Sequence, residues 1–137
     1  MKFKYRELSL PAPFSKNKNL LRPIIPISLK SHGVSIRYEG LIDSGADFCI
    51  FPTGIAKKLG INFKKMNKIY FSSASGDMIE GIIAAVILDI GKTSFKVKVV
   101  FADLAGRVGI LGQYGFFDKF TVKFDLGKEE IEIKSII

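Results

Sequence analysis

The stretch from Met78 to Ala102 commits this chain to β-structure. Met78 to Ile90 is a nearly continuous apolar run, Gly91-Lys92 supplies a tight turn, and Thr93 to Ala102 alternates Phe95, Val97 and Val99 with Lys96 and Lys98. Apolar and polar residues with a period of two belong on a half-buried strand, and two strand-like runs across a two-residue glycine turn make a hairpin. The longest apolar segment, Gly81 to Ile90, is broken by Asp89. It is about half the roughly 20 residues that a membrane-spanning helix needs, so no transmembrane segment is expected.

The remainder punctuates itself in the same way. Met1 to Asn19 has an apolar patch at Leu8, Leu10 and Phe14, with Pro11 and Pro13, and reads as an extended arm with a loop. Arg22 to Lys30 is extended, with Pro23 and Pro26 suggesting an edge. After the turn Ser31-His32-Gly33, Val34 to Ile42 alternates as a strand, and Asp47 to Phe51 is expected to be another, closed by Pro52. Thr53 is expected to cap a short helix from Gly54 to Leu59, with Gly60 at the left-handed C-terminal position. Ile61 to Phe71 runs into the small, turn-forming Ser72 to Asp77 and returns along Met78 to Ile90 as a hairpin. Gly109 to Gly112 is a short apolar strand, Gly115 to Lys119 one helical turn, and Phe120 to Asp125 with Glu129 to Ile136 a last hairpin. Strands outnumber helices, which points to an all-β, closed, barrel-like sheet with one or two short helices. At 137 residues, the chain is expected to be a single domain, 1–137, with 1–20 a possible N-terminal arm.

Composition narrows the function classes. With 47% hydrophobic and 25% charged residues the chain has a globular profile. One cysteine, Cys49, excludes an internal disulfide, and with one histidine, His32, a zinc site is not expected. The formal net charge of +8 raises the question of nucleic acid. Its lysines and arginines are spread along the chain, with Lys57-Lys58 and Lys64-Lys65 the adjacent lysine pairs, which fits a solvated surface better than a binding patch. The first residues carry no apolar core of a secretion signal, so a cytoplasmic location is expected.

Chemistry concentrates in Leu41 to Pro52, where Asp43, Ser44 and Gly45 stand between two apolar runs. An acid delivered by one strand and followed by a glycine turn can be held rigidly at a cleft, or can be only a turn. An echo of this arrangement occurs later: Ile110-Leu111-Gly112 also ends a strand, without an acid, and a short helical segment is expected after each.

Together, Leu41-Ile42-Asp43-Ser44-Gly45-Ala46-Asp47, the small-residue turn Ser73 to Gly76, and Gly109-Ile110-Leu111-Gly112 followed by Gly115 to Asp125 resemble the retropepsin-like aspartic protease family. The match spans roughly Ile24 to Ile133. The resemblance implies a closed β-domain that forms a symmetric homodimer, each subunit giving one catalytic aspartate and one flap, with no metal and no cofactor. It implies that Asp43 is the acid/base, that Ser44 offers its hydroxyl across the dimer axis, and that Gly45 leaves room for substrate backbone. Ala46 and Asp47 would lie along the substrate, Ser73, Ala74, Ser75 and Gly76 would tip a mobile flap, and Ile110 and Leu111 would line side-chain pockets. Gln113 stands where viral members carry an arginine, and the long C-terminal hairpin is similar to that of cellular members, implying a part in the dimer interface.

Hydrolysis of a peptide bond without metal needs a base for water and an acid for the carbonyl oxygen, and two carboxylates sharing one proton supply both. With one Asp-Ser-Gly per chain, the second carboxylate would come from a second copy. The expected function is an aspartic endopeptidase acting on peptide or unfolded protein. The alternative is a non-catalytic dimeric peptide-binding or scaffolding module of the same fold, with a nucleic-acid-binding barrel a distant third.

Overall fold

The computed structural model describes residues 1–9, 19–103, 106 and 108–137. Leu10, Phe14 and most of the loop expected near the N-terminus therefore lie outside the described residues. Twelve strands are formed among those described: β1 (Lys2–Lys4), β2 (Arg6–Ser9), β3 (Asn19–Arg22), β4 (Ile24–Ser31), β5 (Val34–Ile42), β6 (Ile50–Phe51), β7 (Asn67–Ser72), β8 (Met78–Ile90), β9 (Thr93–Phe101), β10 (Gly109–Leu111), β11 (Phe120–Asp125) and β12 (Glu130–Ser135). One short helix, α1 (Thr53–Lys58), and one 3-10 turn, Phe63–Lys65, complete the set. No helix among the described residues is long and apolar enough to cross a membrane.

The principal sheet runs β4-β5-β10-β6-β9-β8-β7, and a further pairing of β4 with β8 closes six of these strands into a barrel. Closure removes the exposed edges that an open sheet would present. The β4–β5 hairpin turns at His32-Gly33, both at positive φ (51° and 75°), as a two-residue turn matched to strand twist requires. The seam is short, Ser28 to Lys30 against Ile87 to Asp89, and is tied by a Lys30–Asp89 ion pair of 2.5 Å. Lys30 holds the Asp89 carboxyl below the usual carboxylate range.

The packing of β8 explains its nearly continuous apolar sequence, interrupted at Glu80 and Asp89. Ile82, Ala84, Val86, Leu88 and Ile90 point into the barrel, where they join Ile25, Leu29, Phe51, Phe101, Leu111 and Phe116. Ile79 and Ile83 pack on the other side, against a second cluster made by Ile50, Val100 and Ala102. Near Ile82 and Ile83 this covering on both faces removes the alternation that a solvated face would impose, whereas Ala85 and Ile87 farther along are exposed. Beyond the barrel, Met78 to Gly81 continue only with β7, so the β7–β8 hairpin projects from the sheet.

Three local expectations change. Thr53 is the first helical residue and Pro52 the cap; the Thr53 hydroxyl binds Asp103 at 2.7 Å and caps nothing. The helix ends as expected at Gly60 (φ 73°), with Gly60 N–H to Lys57 and Ile61 N–H to Ala56 closing a Schellman motif. Gly115 to Lys119 is a run of turns and not a helix, because Gly115 sits at φ 102° and its N–H is taken by the Asp118 side chain at 3.0 Å. The strand expected from Asp47 shortens to Ile50–Phe51, with Phe48 making a single bridge to Tyr114.

The C-terminal hairpin forms as expected, with β1 added to it: Lys2 to Lys4 pair with Glu130 to Glu132. Ile131 and Ile133 of β12 are fully buried against the barrel core. Phe124 and Leu126 of the same hairpin remain exposed.

Candidate active site

Asp43 owes its position to a strand from the other half of the chain. β10 inserts between β5 and β6, parallel to β5 with Leu111 beside Ile42, and antiparallel to β6 with Ile110 beside Ile50. The Asp43 N–H continues that ladder to the Leu111 carbonyl at 3.0 Å. From there the chain turns tightly: Ala46 N–H donates to the Asp43 carbonyl at 3.2 Å, and Gly45 N–H donates to Asp43 Oδ1 at 2.9 Å. A carboxylate that accepts from its own loop two residues on is fixed in direction before any ligand arrives.

Residues after Leu111 clamp the rest of the loop. Gln113 N–H bonds the Ala46 carbonyl at 2.8 Å, and Tyr114 N–H bonds the Asp47 carbonyl at 2.9 Å. The Gln113 side-chain amide donates to the Ser44 carbonyl at 2.8 Å. A neutral side chain thus braces this loop. The close approach requires Gly112, since a Cβ there would lie 2.7 Å from the Ala46 carbonyl oxygen and would also strike that of Phe48. Gly45 differs: its Cβ would meet only Asp43 Oδ1, at 3.3 Å, with open space beyond.

A cleft of about 1120 Å³ lies over this loop. Asp43, Gly45, Ala46 and Asp47 form its floor, and Ser72 to Ser75 with Asp77 its roof. The roof is the tip of the β7–β8 hairpin, closed by Ser73 N–H to the Asp77 carbonyl at 2.8 Å and Gly76 N–H to the Ser73 carbonyl at 2.9 Å. Its hydroxyls bond one another, Ser73 to Ser75 at 2.8 Å, and Ser75 donates to Asp77 Oδ2 at 3.2 Å. These bonds hold the tip together as a unit.

Of the residues singled out from sequence, Asp43, Gly45, Ala46, Asp47, Ser73, Ala74, Ser75 and Ile110 meet at the cleft. Ser44 and Gly76 are exposed beside it and do not line it in the single chain. Leu111 does not line it either. Strand alternation sends Ile110 to the cleft and Leu111 to the core, where it is fully buried over Gly40. Sequence reasoning missed Asp77 and Asp103, and the apolar lining from Ile50, Phe71 and Ile79. Asp77 adjoins the flap turn and was open to inference; Asp103 enters only through the pairing of β6 with β9.

Two other features carry no chemistry of this kind. Cys49 is fully buried under the loop, and burial pushes its thiol up to about 11, which keeps it unreactive. A hollow of about 460 Å³ near His32, Lys65 and Lys98 has no carboxylate in its lining.

A β-barrel with an Asp-Ser-Gly loop clamped by a second strand end, beneath a projecting hairpin, defines the acid-protease class. Residues 27–114 match the family model for aspartyl protease, and the chain belongs to that family. No curated protein matches the sequence. Among solved structures, a retropepsin-like aspartic protease from Rickettsia conorii superimposes with a TM-score of 0.58 at 21% identity, covering 81% of this chain and 89% of that one. EIAV protease complexed with the inhibitor HBY-793 superimposes with a TM-score of 0.54 at 22% identity, covering 67% of this chain and 82% of the other. The fold is retropepsin-like.

Proposed function

We propose that the chain is an aspartic endopeptidase that works as a homodimer, with one Asp43 from each subunit. The observation that carries this reading is the pair of adjacent strand ends. β5 and β10 finish side by side, and only β5 presents a carboxylate there, while β10 presents Gly112. A second copy supplies the missing acid. Like charges at hydrogen-bond distance cannot both ionise, so the pair shares a proton. One carboxylate takes a proton from the bound water as its oxygen attacks the peptide carbonyl, and the other gives its proton to the carbonyl oxygen. Collapse of the resulting diol breaks the C–N bond, with a proton passing to the departing amine.

Other groups bind and orient. Ser44, exposed beside the cleft, donates its hydroxyl across the two-fold axis, and Gly45 admits substrate backbone. Ala46 and Asp47 run along the peptide, Ser73 to Ser75 with Gly76 close over it and exclude water, and Ile110 contacts a side chain flanking the cut bond. The test is hydrolysis of an unstructured protein from acid to neutral pH. Asp43→Asn is expected to lower turnover by about 10³-fold or more while sedimenting as the same dimer. Undiminished cleavage by that variant removes the reading; peptide binding without turnover by wild type and variant alike leaves a binding module.

A further inference from the structure

The cleft is acidic in a chain that is otherwise basic. Asp43, Asp47, Asp77 and Asp103 all line it, which is four of the seven aspartates in a sequence of formal net charge +8. Among the described residues, no lysine, arginine or histidine belongs to its lining. Three of these carboxylates are not required by hydrolysis itself. Asp47 is exposed on the floor, Asp77 is exposed at the flap tip, and Asp103 is exposed on the wall, where it accepts from the Thr53 hydroxyl and N–H.

Their arrangement says what they suit. They stand on three separate elements, and among the described residues no three His, Cys, Asp or Glu side chains are close enough to hold a metal ion. Dispersed negative charge around a groove complements a ligand whose positive charge is equally dispersed. Between the acids the lining is apolar, from Ile50, Phe71, Ile79 and Ile110. A cleft whose walls exclude water focuses the field of such charges on whatever enters.

We propose that this cleft selects extended peptides carrying lysine or arginine on both sides of an apolar pair at the cut bond. The inference rests on the reading of the cleft as a peptide-binding site. Two-fold symmetry repeats the three carboxylates on each side of the axis, so both flanks of the peptide meet negative charge. Asp47, Asp77 and Asp103 act as specificity determinants and not as catalytic residues.

Three unstructured peptides test this, identical in their apolar pair and flanked on both sides by lysine, glutamine or glutamate. With wild-type protein at low salt, kcat/KM is expected to fall in the order lysine, glutamine, glutamate, with about tenfold between the extremes. The spread is expected to narrow as salt is raised. The Asp47→Asn, Asp77→Asn, Asp103→Asn triple variant is expected to bring the lysine-to-glutamate ratio close to one, a readout unaffected by any loss of overall rate. Equal rates for the lysine and glutamate peptides in wild type overturn the proposal, as does an unchanged ratio in the triple variant. Fluorescence anisotropy with Asp43→Asn protein reads the same preference in binding. Selective binding of the lysine peptide without turnover by wild type therefore upholds the charge selection while removing the protease reading, and binding that ignores flank charge overturns the selection.

Discussion

Two strand ends lie side by side at the centre of this molecule, and they have been given opposite tasks. β5 ends at Ile42 and releases Asp43-Ser44-Gly45, which places Asp43 and Gly45 in a cleft and Ser44 beside it; Asp43 is half-buried and its two neighbours are exposed. β10 ends at Leu111 and passes beneath as buried Gly112, then Gln113 and Tyr114, which bond the Ser44, Ala46 and Asp47 carbonyls. One end presents chemical groups and the other presents a scaffold. Rigid support for a carboxylate needs backbone in close contact, which excludes a second side chain from the same place. Under the proposed reading, a chain that spends its second strand end on support takes its second acid from a second copy.

The sharpest way to break this comparison is to add one methyl group to each end. Gly112→Ala drives a Cβ into the Ala46 and Phe48 carbonyl oxygens and is expected to cost about 3 kcal/mol of stability, seen as a lowered urea midpoint. Gly45→Ala meets only Asp43 Oδ1 and is expected to fold with a change under about 1 kcal/mol while losing peptide turnover. If both variants are equally stable, the division between support and presentation is wrong.

Gln113→Leu probes the brace without touching Asp43. It removes the bond to the Ser44 carbonyl at an expected cost of about 1 kcal/mol. Because Ser44 is exposed, water can take over that carbonyl, so kcat is expected to fall more than stability does. A loss confined to KM would show that the brace positions substrate and not the acid.

The smallest effect is expected at the barrel seam, whose Lys30–Asp89 pair lies toward the far ends of β4 and β8. Lys30 depresses the Asp89 carboxyl, so the folded form holds its charge to lower pH than the unfolded chain does. The stabilisation is complete above the ordinary carboxylate range near pH ~4 and is lost as pH falls through the lower, folded value. The pair is partly exposed, at 45% and 23%, which limits it to about 1 kcal/mol or less. Lys30→Met is expected to lower the melting temperature slightly at neutral pH, with the difference vanishing in acid. A difference that grows in acid would contradict the assignment.

Much of this molecule could be read from local pattern. The Asp43 turn, the flap hairpin, the β8–β9 hairpin and the C-terminal hairpin are each signalled by glycine or small polar residues between apolar runs. What escaped is what depends on distant partners. The insertion of β10 between β5 and β6 brings Leu111 beside Ile42, sixty-nine positions away, and no short window records it. The same pairing decides that Ile110 faces the cleft while Leu111 faces the core, two residues that look interchangeable in sequence. Thr53 was legible as a helix start, but its hydroxyl was drawn to Asp103, fifty positions on. Asp103 itself gave no signal, because its place at the cleft follows from the parallel pairing of β9 with β6.

The central claim is that one active site is made by two chains, and subunit mixing tests it most directly. Wild-type protein is combined with an equal amount of Asp43→Asn protein and allowed to exchange subunits, and peptide hydrolysis is then measured. Random assortment leaves about one quarter of the dimers with both acids, so the account predicts about half of the activity given by the same wild-type protein exchanged with itself at equal total concentration of wild-type chains. Activity that stays in proportion to the wild-type chains, whatever the excess of variant, would mean that each chain works alone.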